Sequence, residues 1–198
     1  MSLTKEDIAI QEILDAGRKM FQQFGLNKTT MEDIAKSAGK GKSTLYYYFK
    51  SKNDIFDRVI EEEMGDFFES LKSELSKHES IEDKLKTFVA YKFQKTKEKI
   101  NLYRLTIDTS NAIELSGHFK LLRDKFDQKE IQLVSDMLHD GISNKELAHM
   151  DDDEVNLIAE LIISSIRGVE LDIVTRDRFK TLDSKVELIS NIMIKGLK

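Results

Sequence analysis

The sequence predicts an all-α protein, and three observations predict it. Proline is absent from all 198 residues and only 9 residues are glycine, so little in the chain interrupts a helix or favours a tight turn. Apolar residues recur at spacings of three and four along most of the length. The composition, 40% apolar and 34% charged, is that of a globular chain with a heavily charged surface and enough length to bury a sizeable core.

About nine helices are predicted. Ile10, Ile13, Leu14, Gly17, Met20, Phe21 and Phe24 share one helical face, with Gly25 as a stop and Asn27 just beyond. Thr30 precedes a short second helix through Met31, Ile34 and Ala35. With Asp33 it resembles a capping box, although Glu or Gln is more usual at the second position. Gly39 and Gly41 end that helix, and a third short one fits Lys42 to Phe49. After the polar break Lys50-Ser51-Lys52, Ser51 can cap a long fourth helix carrying Ile55, Phe56, Val59, Ile60, Met64, Phe67, Phe68 and Leu71. Further helices are expected from near Ser80 to Lys99, with Leu85, Phe88, Val89 and Phe93 inward, and from about Leu102 to Leu115. Beyond Gly117 another carries Leu121, Leu122, Phe126, Ile131, Val134 and Leu138. Gly141 and Asn144 mark a loop, irregular from Lys145 to Met150. Asp151 to Glu154 then open a long helix to about Asp177, where acidic residues suit the positive end of the helix dipole. That run lacks the spacing and glycine of a calcium loop. A last helix is expected from about Asp183 to Lys195.

Charge is distributed unevenly. The net charge is −5, which argues against a protein that coats nucleic acid or an anionic membrane with its whole surface. Residues 26–52, however, hold six lysines against Glu32 and Asp33, a local net of +4. A basic corner is attached to an acidic body, which points to an anionic partner for the corner. Cysteine is absent, which excludes disulfides, thiolate metal sites and a cysteine nucleophile, and fits a reducing compartment. The four histidines, His78, His118, His139 and His149, have no metal-ligand spacing. No apolar run approaches the ~18 residues of a membrane span, and no basic-then-apolar leader opens the chain. A cytoplasmic protein with no metal and no cofactor is expected.

Two short helices separated by a glycine turn, with a basic rim, describe a helix-turn-helix. The first helix supports the second, which lies in the DNA major groove, a slot about 12 Å wide. Met31, Ile34, Ala35 and Ala38 supply the supporting apolar face, and Gly39 supplies a residue tolerant of left-handed geometry. On the second helix Lys42, Ser43, Thr44, Tyr46, Tyr47 and Tyr48 offer polar groups outward, while Leu45 and Phe49, four apart, point inward. Three consecutive tyrosines span about 200° of helical arc, so at least one is exposed.

Thr29 to Ile55, TTMEDIAKSAGKGKSTLYYYFKSKNDI, resembles the DNA-binding signature of the TetR family of bacterial transcriptional regulators, and the preceding Phe21-Gln-Gln-Phe-Gly25 is similar as well. The resemblance covers about residues 8–60. It implies an N-terminal three-helix DNA-binding domain, 1–52, and a helical ligand-binding and dimerisation domain, 53–198. It also implies phosphate contacts at Thr30, Tyr47, Tyr48 and Lys52, and base-edge contacts at Lys42, Ser43, Thr44 and Tyr46. Lys40 and Gly41 depart from the commonest pattern: Lys40 adds charge near the DNA backbone, and Gly41 caps less well than serine by a few tenths of a kcal/mol.

Gly41-Lys42-Ser43 also resembles the end of a phosphate-binding P-loop. That loop needs a glycine where Lys36 stands, and a preceding strand where a helix is expected, so an ATPase or kinase is disfavoured.

One helix-turn-helix has limited specificity, and two copies on a two-fold axis would read half-sites about 34–36 Å apart. Leu157, Leu161, Ile162, Ile166 and Val169 on one late helix, with Val186, Ile189, Met193 and Leu197 on the last, offer apolar stripes for a homodimer interface; the alternative is core within one chain. The resemblance further implies a small-molecule pocket in the body. Candidates to line it are Phe67, Phe88, Tyr91, Phe93, Tyr103, Phe119, Phe126 and Met137, which suit an apolar or amphipathic effector. The expected function is a homodimeric, ligand-released repressor on a palindromic operator, with no enzymatic activity. The alternatives are a DNA-bound protein of the same fold acting as an activator or through a protein partner, and a helical interaction module that does not bind DNA.

Overall fold

The structure, a computed structural model, describes residues 4–100, 102, 117–176, 178 and 185–197. All regular structure among these residues is helical, in eight helices. They are α1 (Lys5–Lys28), α2 (Met31–Ser37), α3 (Lys42–Tyr48), α4 (Lys52–Leu75), α5 (Ile81–Glu98), α6 (Gly117–Ser143), α7 (Asp152–Arg176) and α8 (Val186–Lys195). The helix expected over 102–115 lies outside the described residues, Leu102 excepted.

The chain forms two compact units. The first comprises Met1–Asp66 and Lys99–Lys120, the second Phe67–Glu98 and Leu121–Lys198. Helix α4 contributes to both, because its apolar stripe runs without interruption from Ile55 to Leu75.

In the first unit, Thr4 and Asp7 form a reciprocal capping box at the start of α1. The helix is broken at Gly25, whose φ of 77° is left-handed. Phe24, expected on the buried face, is instead exposed, because it sits on the last turn before that break. Ile13, Leu14 and Phe21 of α1 pack with Ile34, Leu45, Ile55, Phe56, Val59 and Ile60, all fully buried or nearly so. Phe21 and Phe56 meet edge to face at 5.2 Å. Helices α1 and α4 approach closely at Gly17, where an added Cβ would lie 2.7 Å from Ile55 Cγ2. Arg18 fastens the same pair electrostatically: its Nη2 meets Glu62 at 2.7 Å, its Nε meets buried Glu63 at 2.9 Å, and Lys99 pairs with Glu63 as well.

In the second unit, the end of α4 packs with α5, α6, α7 and α8 around a core that includes Phe88, Phe93, Val134, Leu138, Ile163 and Ile166. Asp151 and Glu154 exchange hydrogen bonds of 2.9 Å that cap α7. Leu121, expected inward, is exposed. The loop between α6 and α7 is irregular where expected, and Glu146 accepts from the Ile81 N–H at 3.0 Å, tying that loop to the start of α5.

Two glycines on helices α1 and α4 carry opposite expectations. Gly17→Ala forces the α1–α4 crossing apart and is expected to lower stability by roughly 1–3 kcal/mol. Gly65→Ala, with nothing within 4 Å of the new Cβ, is expected to raise it by about 0.5–1 kcal/mol through helix propensity. Urea unfolding of both variants checks the pair of signs.

Candidate nucleic-acid interface

Helix α3 has only seven residues, and its position is set by its neighbours. Thr30 and Asp33 cap α2 reciprocally: the Asp33 N–H donates to Thr30 Oγ1 at 3.2 Å and the Thr30 N–H to Asp33 Oδ2 at 3.0 Å. The Thr30 hydroxyl adds a third bond to Asp33 Oδ2 at 2.6 Å, and these bonds hold the Asp33 carboxyl below the usual carboxylate range. At its other end α2 closes in a Schellman motif. The Lys40 N–H reaches Ala35 O at 3.0 Å and the Gly39 N–H reaches Lys36 O at 3.2 Å, with Gly39 at φ 64°. That turn aims α3 away from α2, and Leu45, fully buried, anchors it.

With Leu45 inward, the rest of α3 faces out. Lys42, Ser43 and Thr44 are exposed, Tyr46 is 48% and Tyr47 77% exposed, and Tyr48 is half-buried. The Tyr47 and Tyr48 rings meet edge to face at 4.9 Å. An open cleft of ≈ 350 Å³ lies between the start of α2 and α3, lined by Thr30, Met31, Glu32, Lys42, Tyr46 and Lys52 among others. Lys42 Nζ stands 3.6 Å from Glu32, an exposed pair that contributes little to stability. Lys40 turns to α1, with its Nζ 2.6 Å from Glu12.

Lys52 lines the same cleft and also reaches the end of α1. Its ammonium donates to Leu26 O at 2.9 Å, Thr29 O at 3.0 Å and Asn27 O at 3.4 Å. Three donors meet three carbonyls at the end of α1. Lys52 therefore caps α1 from the first turn of α4, where a cation also suits the negative end of the dipole.

The body residues fall into three groups. Phe88, Phe93 and Met137 are buried in the apolar core. Phe67, Tyr91 and Phe126 form one aromatic cluster with Phe68, with Phe67 at 5.4 Å from Tyr91 and 5.7 Å from Phe126. Tyr103 and the Phe119 side chain lie outside the described residues. Of the apolar stripes on α7 and α8, Ile162 and Ile166 are buried within their own chain, and Val169, Val186, Ile189 and Met193 pack partly against the same core. Leu157 and Leu161 on α7, and Leu188 and Ile192 on α8, are each more than half exposed. Leu188 and Ile192 were missing from the sequence reading, which took the inward stripe of α8 instead.

Sequence reasoning also missed a buried ionic cluster. Lys92 Nζ lies 2.5 Å from Glu130 and 3.3 Å from Glu170, and the Thr96 hydroxyl donates to Glu170 at 2.7 Å, all four residues being buried. Burial pulls the Lys92 ammonium down, but the two carboxylates outweigh it and hold it above its ordinary value. Burial, against the opposing pull of Lys92 and with Glu170 adding to it, pushes the Glu130 carboxyl up. A signal was present: Lys92 falls on the stripe of Leu85, Phe88, Val89 and Thr96, a cation on an inward face.

The geometry of α2, turn and α3 is that of a helix-turn-helix, which defines a DNA-binding regulator. The comparisons agree. Residues 13–59 match the profile of bacterial regulatory proteins of the tetR family. The HTH-type transcriptional regulator YhgD of Bacillus subtilis is 30% identical over 145 residues, 70% of this chain and 72% of that one. The chain belongs to the TetR family. The fatty acid metabolism regulator protein of Bacillus subtilis is 24% identical over 189 residues, 94% of each chain. The fold is also that of FadR from Bacillus subtilis, solved in complex with stearoyl-CoA, at a TM-score of 0.76 and 21% identity over 95% of this chain and 99% of that one. These relatives are regulators rather than enzymes. The P-loop alternative finds no support: Gly41-Lys42-Ser43 opens α3 after a helical turn, and no strand occurs among the described residues. No described helix is long and apolar enough to cross a membrane.

Two outcomes are expected. Lys52→Met lowers stability by roughly 1–2 kcal/mol in urea unfolding, whereas Lys50→Met, at an exposed position, changes it by less than about 0.5 kcal/mol; a residue serving only phosphate would leave stability unchanged. For Asp33, a depressed folded-state pKa gives a contribution present above the ordinary carboxylate range and lost as pH falls through the depressed value. The stability gap between wild type and Thr30→Val therefore narrows below about pH 4, as thermal melts across pH would show.

Proposed function

We propose that this protein is a homodimeric transcriptional repressor that binds a palindromic operator through α3 and is released by an apolar or amphipathic effector of the long-chain acyl type. The observation that carries the reading is the two-sidedness of α3. Its one large apolar residue is fully buried, and Lys42, Ser43, Thr44, Tyr46 and Tyr47 all face solvent.

In this reading Lys42, Ser43, Thr44 and Tyr46 approach base edges in the major groove. Thr30, Tyr47 and Tyr48 meet phosphates on its walls, with Lys40 adding charge nearby. Lys52 acts one step back, holding the end of α1 and the start of α4 together behind the reading head. The exposed Leu157, Leu161, Leu188 and Ile192 form the dimer surface, since four large apolar residues on two helices favour burial against a second copy. The acyl class of effector is supported by the full-length similarity to the fatty acid metabolism regulator and by the aromatic cluster of the second unit. An effector releases DNA only by preferring a conformation that does not bind it.

Selection of duplexes from a random library is expected to enrich a palindrome with wild type and to lose it with the Lys42→Ala, Tyr46→Ala variant; absence of enrichment at low salt, where phosphate contacts are strongest, would refute the reading. Ile192→Glu is expected to yield a monomer by sedimentation and to abolish palindrome binding. Duplex bound equally with and without acyl ligands, but altered by a captured protein, would favour the partner-dependent alternative.

A further inference from the structure

We propose that the buried ionic cluster of the second unit is the polar end of the effector site, and that Arg123 receives an anionic group there, a carboxylate or phosphate carried on an apolar chain. The inference rests on the effector reading above and adds the charge of the ligand and the residue that meets it.

Three helices each contribute to the cluster. Lys92 and Thr96 come from α5, Arg123, Asp127 and Glu130 from one face of α6, and Arg167 and Glu170 from α7. Buried ion pairs are no more stabilising than apolar residues of similar volume, so the fold alone does not call for such a group in its core. The acids of the cluster are each engaged by a donor. Lys92 meets Glu130, Lys92 and Thr96 meet Glu170, and Arg167 Nη2 meets Asp127 at 2.5 Å. The bases are not all matched. Arg123 pairs with Asp127 only through Nε, at 3.8 Å, and its Nη1 is buried with no hydrogen-bond partner. It is the one such atom in the cluster among the described residues. A buried guanidinium N–H without an acceptor is costly, and it asks for an oxygen to be supplied.

The apolar end is adjacent on the same helices. Phe126 is three residues from Arg123 on α6, and Tyr91 neighbours Lys92 on α5; both pack on Phe67. An acyl chain along these rings with its acidic group at Arg123 satisfies both parts of the site.

The test is calorimetric titration of the full-length protein with palmitate, hexadecyl phosphate and palmitoylcholine, below their micelle concentrations. Binding is read directly, so failure here is distinguishable from failure of operator binding, which is measured on the same preparations with the selected duplex. Palmitate or hexadecyl phosphate is expected to bind, palmitoylcholine is not, and the better of the two anions tells whether a carboxylate or a phosphate is the natural group. Arg123→Gln is expected to weaken the anion by roughly tenfold or more. Lys125→Gln, the same charge change at an exposed site on α6, leaves it unchanged. Arg123→Lys keeps the charge and guards against a variant that fails to fold. Binding of the choline ester, equal binding by Arg123→Gln and wild type, or no binding of either anion would each overturn the proposal.

Discussion

A helix of seven residues does not persist in water by itself, because the cost of nucleation exceeds what so few hydrogen bonds return. Helix α3 exists because Leu45 is driven into the core that α1, α2 and α4 share. Everything that makes the surface of α3 readable follows from that insertion. Rotating the helix to expose Leu45 would bury Tyr47 or Lys42, so the apolar anchor sets which side chains face outward. The Schellman turn at Gly39 fixes the direction, and the Lys52 cap fixes the floor on which α1 ends and α4 begins.

The two units solve different problems. The first holds a short helix in one orientation, and it uses rigid devices: three capping boxes, a glycine crossing, and a buried carboxylate, Glu63, shared between Arg18 and Lys99. The second buries a large apolar core and yet admits Lys92, Glu130 and Glu170 into it, with Arg123, Asp127 and Arg167 beside them and less buried. Such a cluster stabilises little, and Arg123 leaves one donor in it unmatched. Rigidity at the reader and incomplete satisfaction in the body are what a ligand-responsive DNA-binding protein would need.

Much of this was legible in the sequence where local rules decide. The order of the described helices, the capping box at Thr30, the glycine turn and the inward Leu45 follow from spacing and residue type, and the structure agrees with each. What local rules do not reach is the partner of a long side chain. Lys52 reads as one more cation in a basic corner, and only the fold brings the carbonyls of Leu26 and Thr29 beneath it. Leu157 and Ile162 read alike as members of an apolar stripe, but they differ by about 140° of helical arc, and only packing shows which of them faces out. Lys92 on an inward face was visible in the pattern of α5, yet its acidic partners come from helices 38 and 78 positions away in the chain. The helix expected over 102–115 and the candidate Tyr103 lie outside the described residues.

The central claim is that α3 enters the major groove of two symmetric half-sites. Methylation interference on the selected operator tests it most directly, because N7-methylated guanines block the major groove alone. Two clusters of interfering guanines related by the palindrome are expected, centred about 34–36 Å apart or a multiple of that, and so is their loss with the Lys42→Ala, Tyr46→Ala variant. Interference by minor-groove adenine methylation alone, or a single unpaired cluster, would contradict it.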